Sequence, residues 1–264
     1  MRQFIASEQL KENARLAISE KEVRYLKNVL RLKPGESIDV RLLDGSLLEM
    51  SLVKENNQWL LQKVLGAKKK EKGVLANSLD TEDLEIHLLQ CEIKPQKMDL
   101  IIRQATECGV KKILPIKGDF SQVAFSEKKH ERWLKIIKEA RQQSGSAIAT
   151  ELAEKMTFDE YLVKEQKKTE SIKKKLAFKC YLSENKRVDS LFSLLMKKGK
   201  PNIVHIAVGC EGGISKREAE LLEKSGFSPL HLPTNILRSE TAALYGLAVL
   251  QNAVMEYHSW QRQE

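Results

Sequence analysis

The sequence has no apolar run approaching the ~18 residues that a bilayer-crossing helix needs. Its uninterrupted apolar stretches are a handful of residues long, which excludes a helix-anchored membrane protein. Its four cysteines, Cys91, Cys108, Cys180 and Cys210, form no CxxC pair, and its five histidines form no HExxH. Neither a disulfide nor a zinc framework is predicted, and no metal is expected. The opening residues MRQFIASEQLKENARLAIS carry charges where an export signal needs an apolar centre, so the chain is expected to be soluble and to stay in the cytoplasm.

What is abundant is positive charge. Lysine and arginine number 45 against 36 acidic residues, a net charge of +9 with pI ≈ 9.2. Such a balance favours a polyanionic partner, because neutralised phosphates release condensed counterions. The clusters Lys68 to Lys70, Lys128-Lys129 and Lys173 to Lys175 read equally well as solvated faces, so charge alone leaves the function open. At roughly 150 residues per domain the length fits two modest domains or one large one.

Residues Met1 to about Leu65 read as a small strand-rich unit. Runs at Ser37 to Leu43, Leu47 to Val53 and Gln58 to Leu65 are separated by the turn pairs Asp44-Gly45 and Asn56-Asn57, as in a small barrel or sheet. One helix interrupts them: Ser19 to Glu22 is a capping box, with Val23, Leu26, Val29 and Leu30 along one face until Pro34-Gly35. The polar stretch Lys68 to Asp83 marks the boundary, giving domains 1–72 and 73–264. Beyond it, apolar runs at Ile86 to Cys91, Ile113 to Ile116, Leu176 to Leu182 and Ile203 to Val208 alternate with helical patterns, and Pro229 to Leu232 adds a short strand. Met98, Ile101, Ile102, Ala105 and Cys108 mark one helix, stopped by Gly109; Trp133, Ile136, Ile137 and Ala140 mark another, and Thr157 to Glu160 caps a third. This is α/β order with a mostly parallel sheet, whose ligands sit at the carboxyl ends of its strands.

One such loop is chemically specific. After the strand HIAV come Gly209-Cys210-Glu211-Gly212-Gly213 and then a helix opened by the capping box Ser215 to Glu218. Three glycines in five residues permit positive φ and remove side chains, as a tight turn or a close approach of backbone to ligand requires. The spacing is neither GxGxxG nor GxxxxGK[ST], and Glu211 would repel a phosphate. A ligand with a sulfonium, an ammonium and ribose hydroxyls, such as S-adenosylmethionine, suits the loop better. A second segment, Leu230 to Ala243, leads into an apolar helix running to about Tyr257. Arg238 stands at its mouth, the end a helix dipole makes unfavourable for a cation.

These segments together resemble the SPOUT-class methyltransferases, and within them the RsmE family of small-subunit ribosomal RNA uridine N3-methyltransferases. The family's G-P-E-G-G loop is matched by Gly209 to Gly213, and its L-G-P-R-I-L-R-x-E-T-A block by Leu232 to Ala242. Leu26 to Arg31 with Pro34-Gly35, Ala105 to Val110, and Glu139-Ala140 with Gln143-Ser144 match further blocks. The resemblance spans nearly the whole chain. It implies a PUA-like β-barrel followed by a trefoil-knotted SPOUT domain, a homodimer, S-adenosylmethionine as cofactor, and 16S ribosomal RNA of the small subunit as partner.

It also implies roles. Arg238 would stabilise the uracil anion that forms as the N3 proton leaves, and Glu240 would orient Arg238 or act as a base. Gly209, Glu211, Gly212, Gly213, Leu232, Ile236 and Leu237, with Leu182 added for its place at a strand end, would bind the cofactor. Arg24 and Arg31 of the first domain would grip RNA, and the target base would be unpaired or flipped out. The sequence departs from the family at Gln104, Phe120, Ser146, Cys210, Pro233, Thr234 and Asn235, and Arg24-Tyr25 replace a histidine pair. The lost cations leave a second reading, a SPOUT-like RNA-binding protein without catalysis or with another RNA target. A doubly wound nucleotide-dependent oxidoreductase is a third reading, disfavoured by Glu211 and the missing fingerprint.

Overall fold

The computed structural model describes residues 3–11, 14–69, 84–122, 127–169, 176–185 and 189–257. Most of the boundary stretch and the cluster Lys173 to Lys175 lie outside them. The chain divides into two compact units, Met1–Ser78 with Lys138–Ala149, and Leu79–Ile137 with Thr150–Glu264. The return of Lys138–Ala149 to the first unit is invisible to a sequence reading that looks for one boundary.

The first unit is built on a five-stranded sheet in the order β1-β3-β4-β5-β2. Its strands are β1 (Gln3–Ile5), β2 (Arg15–Ala17), β3 (Ser37–Arg41), β4 (Leu47–Glu55) and β5 (Gln58–Lys63). β1 and β3 pair in parallel and the remaining pairs are antiparallel. Leu48, Met50 and Leu52 alternate into the core, and Asn56 and Asn57 at φ 45 and 65 make the two-residue turn that matches strand twist. Arg41, opposite Leu47 at the other end of β4, is only 1% exposed. Its guanidinium donates to Gln3 Oε1 at 3.0 Å and to the carbonyls of Gly45 and Gly145 at 2.9 and 3.2 Å. The Gln3 amide donates in turn to the carbonyls of Arg141 and Ser146.

The expected single helix of this unit is α-helical only over α1 (Glu20–Arg24), where the Ser19–Glu22 capping box is present. A π-turn, Tyr25–Val29, follows, closed by the Leu30 amide on the Tyr25 carbonyl at 3.1 Å. The wider i→i+5 turn changes the helical phase. Leu26 therefore stays buried while Val29, expected on the same face, is 57% exposed.

The second unit holds a six-stranded parallel sheet, order β11-β9-β10-β6-β7-β8. Its strands are β6 (Glu85–Cys91), β7 (Lys112–Ile116), β8 (Glu151–Leu152), β9 (Ala177–Leu182), β10 (Ile203–Val208) and β11 (Ser228–Leu230). The helices are α2 (Pro95–Glu107), α3 (Glu127–Ser144), whose C-terminal end belongs to the first unit, α4 (Phe158–Thr169), α5 (Leu191–Lys198), α6 (Lys216–Lys224) and α7 (Ser239–Met255). Central strands β6 and β10 read as nearly unbroken apolar runs because they are covered on both faces. The chain leaves β6 toward β7 and leaves β10 toward β11, on opposite sides, so the carboxyl ends of this adjacent pair form a topological switch point. α7 lies against the sheet at Gly246, where an added Cβ would fall 2.9 Å from Ile206 Cδ1 and 3.2 Å from Leu182 Cδ1. Among the described residues no helix is long and apolar enough to cross a membrane, and no cluster of three or more His, Cys, Asp or Glu could hold a metal.

Candidate active site

The bend Gly209 to Gly213 sits at the end of β10, at the switch point. It folds back on itself: the Gly213 amide donates to the Cys210 carbonyl at 2.9 Å, and Gly213 takes φ +77. A Cβ on Gly209 would lie 2.5 Å from the Gly213 carbonyl carbon, and one on Gly212 would lie 3.0 Å from Phe120 Cβ. Only glycine fits Gly209, and the bend leaves main chain rather than side chain exposed to a ligand.

Two residues the sequence reading missed fasten the bend. Ser239 Oγ donates to the Gly209 carbonyl at 2.6 Å. Gln90 Nε2, on β6, lies 3.0 Å from the Cys91 carbonyl, 3.1 Å from Ser239 Oγ and 3.4 Å from the Gly209 carbonyl. Gln90 is fully buried, and its Oε1 has no hydrogen-bond partner among the described residues. The one sequence signal was a glutamine inside an apolar strand, since a buried amide needs partners.

The other flank is clamped to the loop after β7. Glu218 is buried and accepts from the amides of Ser215 and Asp119, both at 2.9 Å. Asp119 accepts from Ser215 Oγ at 2.5 Å and from Arg217 Nε and Nη2 at 3.1 and 2.8 Å. Arg217 and then Ser215 hold the Asp119 carboxyl below the ordinary carboxylate range. This framework presents Phe120, 51% exposed, beside Gly212. Cys210, in place of the family proline, is buried. Burial and then the Glu218 carboxylate push the neighbouring Cys91 thiol up, which favours its protonated form.

Electrostatics centre on a third missed residue, Lys97, in the first turn of α2. Its Nζ is 3.2 Å from Glu240 Oε2 and 3.9 Å from Glu211 Oε1. Burial pushes the Glu240 carboxyl up, but its own backbone amide, Lys97 and Arg238 together hold it below its ordinary value. It is therefore an ionised, weakly basic group. Arg238 is the N-cap of α7 at φ −64, ψ 152 and makes no capping bond with its side chain, which is exposed.

The structure thus brings Gly209, Glu211, Gly212, Gly213, Arg238 and Glu240 to one place. Leu182 ends β9 against Gly246 of α7, and Leu232 is packed into the core. Leu237 is half-buried, whereas Ile236 is 80% exposed. Arg24 and Arg31 belong to the other unit, where Arg24 pairs with Glu20 at 3.6 Å and Arg31 is exposed at φ 58.

S-adenosylmethionine fits these residues. Two carboxylates flank one ammonium beside the bend, a balance hostile to phosphate, and the glycine main chain and the Gln90 amide oxygen can meet a donor-rich ligand. A parallel sheet with a glycine bend at its switch point and an Arg-capped helix beside it is the architecture of the SPOUT methyltransferases. A Neisseria gonorrhoeae ribosomal RNA small subunit methyltransferase E, solved bound to S-adenosylmethionine, has this fold with TM-score 0.76 and 25% identity, covering 96% of this chain and 97% of that one. A Legionella pneumophila protein in complex with the same cofactor gives 0.77 and 25%, over 95% and 97%.

The chain belongs to the RNA methyltransferase domain family, whose profile matches residues 80–251; a profile for the RNA methyltransferase PUA domain matches residues 18–47. It is 29% identical to the ribosomal RNA small subunit methyltransferase E of Rickettsia conorii over 90% of each chain. It is 28% identical to the Borreliella burgdorferi protein named ribosomal RNA small subunit methyltransferase E 2, over 98% of this chain and 100% of that one.

Proposed function

We propose that this protein transfers a methyl group from S-adenosylmethionine to N3 of a uridine in 16S ribosomal RNA of the small subunit, acting in the cytoplasm. The observation that carries the reading is the Ser239–Gly209 hydrogen bond, which holds the glycine bend against the start of α7 so that donor and acceptor sites share the carboxyl end of the sheet's central strands. The cofactor supplies an electrophilic methyl when bound. Gly209, Gly212 and Gly213 hold it through main chain, with Leu182, Leu232, Ile236 and Leu237 as apolar contacts and Glu211 facing its positive charge.

Uridine N3 attacks well only as its proton leaves to solvent water, with the neutral thioether as leaving group, and Arg238 stabilises the negative charge that spreads to the uracil oxygens as the proton departs. Its exposed guanidinium supports this role. Glu240, ionised and paired with Lys97, serves the charge arrangement rather than proton transfer.

Arg24 and Arg31 grip phosphates beside a basic face where Lys27 and Lys54 place their ammonium groups 4.6 and 5.7 Å from the Trp59 ring centroid. Exposed Phe192 and Met196 on α5 and Tyr245 on α7 support burial against a second copy as a homodimer; sedimentation measures that.

The deciding experiment combines purified protein, S-adenosylmethionine and small subunits from cells lacking the gene. N3-methyluridine at one mapped position is the expected product. Cofactor binding by calorimetry without transfer, on any subunit preparation, would instead mark an RNA-binding protein without catalysis.

A further inference from the structure

We propose that Lys97 is a positioning residue for methyl transfer: by pairing with Glu240 it keeps that carboxylate off the Arg238 guanidinium, which stays free for the acceptor. This rests on the reading of Arg238 given above and adds a residue that acts through it.

Three elements meet at the Lys97 ammonium. Lys97 rises from α2; Glu211 comes from the glycine bend at 3.9 Å, and Glu240 from the first turn of α7 at 3.2 Å. Glu240 is two residues from Arg238. Opposite charges that close attract, and the attraction grows where solvent screening is weak; the Glu240 side chain is only 15% exposed. Yet among the described residues no ion pair or hydrogen bond joins Glu240 to Arg238.

The carboxylate faces Lys97 instead: its Oε2, which has no hydrogen-bond partner by geometry among the described residues, lies 3.2 Å from that ammonium as an ion pair. An arginine neutralised by an adjacent carboxylate would offer a reacting uracil little net positive charge. One left unpaired at a helix mouth offers a full charge and a planar donor fork. Lys97 therefore acts at one remove: it takes up the carboxylate that would otherwise neutralise Arg238. It also reaches Glu211, so the same ammonium couples the donor bend to the acceptor side of the site.

A lysine that merely stabilised the fold would give a different pattern of variants from one that protects Arg238. The test measures steady-state methylation of small subunits by Lys97→Met, Lys97→Gln, Lys97→Arg, Glu240→Gln and the double variant Lys97→Met with Glu240→Gln. Calorimetry with S-adenosylmethionine reports in parallel that each variant is folded and binds cofactor.

The expected result is a kcat lowered about tenfold or more in Lys97→Met and Lys97→Gln at saturating cofactor, with KM for the subunit held within about twofold. Lys97→Arg should recover most of the rate. The double variant should be faster than Lys97→Met alone, because no carboxylate remains to pair with Arg238. Wild-type kcat in Lys97→Met overturns the proposal, and so does a double variant no faster than the single. Slow Arg238→Ala with fast Lys97→Met removes only the Lys97 inference. Fast Arg238→Ala removes the reading of Arg238 as well.

Discussion

The hydroxyl of Ser239 donates to the main-chain carbonyl of Gly209 at 2.6 Å, joining the first residue of the glycine bend to the first turn of α7. Ser239→Ala leaves that carbonyl with only the longer Gln90 contact and takes an acceptor from the buried Gln90 amide. A destabilisation of about 1–3 kcal/mol is expected, seen as a lower Tm, together with weaker cofactor binding in calorimetry.

Gly209→Ala is expected to be harsher at the bend than Ser239→Ala. The atoms its methyl would meet are Gly213 main chain, at 2.5 to 2.8 Å, which cannot swing aside as a side chain end can. Overpacking of this kind costs about 1–3 kcal/mol, and titration with S-adenosylmethionine should show affinity lost by more than about tenfold. Undiminished affinity would show that the cofactor does not need this backbone path.

Arg238→Ala should separate binding from chemistry. The side chain is exposed and packs no core, so Tm and cofactor affinity should stay near wild type, while single-turnover transfer falls by about 10²-fold or more. Arg238→Lys keeps the charge but loses the fork, and an intermediate rate is expected.

The Asp119 clamp should appear in the acid limb of stability. Arg217 and Ser215 hold this carboxyl below its ordinary value of 3.8. The folded state therefore favours the ionised form. The contribution is complete above that ordinary value and disappears as pH falls through the lower folded one. Melting curves from pH 7 down to about 3 should fall less steeply for Asp119→Asn than for wild type, the variant being the less stable at neutral pH. Parallel curves would show that the clamp adds nothing to stability.

Arg31 holds φ 58, a left-handed conformation that disfavours side chains other than glycine by about 1–2 kcal/mol. Arg31→Gly is expected to raise Tm slightly and still weaken RNA binding. Arg31→Gln should weaken binding without the gain in Tm. In both, the slope of log affinity against log salt should shrink by about one; an unchanged slope would place Arg31 off the phosphates.

Much of the fold was legible because burial on both faces of β6 and β10 leaves apolar runs that need no partner to be recognised. The glycine bend was legible for the same local reason, since its backbone demands are written in its own residues. Lys97 was not, because one lysine in the first turn of a helix looks like any of the 45 basic residues until the sheet order brings α2 and α7 together. Gln90 was written as a polar letter in an apolar word, but its partners are distant in sequence. Val29 failed for another reason: a helical period assumes 3.6 residues per turn, and nothing in YLKNV announces a wider one.

The main-chain oxygens of Arg141, Gly145 and Ser146 that satisfy Gln3 and Arg41 arrive from more than a hundred residues downstream. Severing the polypeptide anywhere in 70–83 therefore releases no intact amino-terminal half. The fragment would lose the Gly145 carbonyl from the Arg41 guanidinium and both downstream carbonyls from the Gln3 amide, leaving polar groups of its core without their partners. Such a truncation should emerge insoluble, and supplying residues 138–149 in trans should be the remedy.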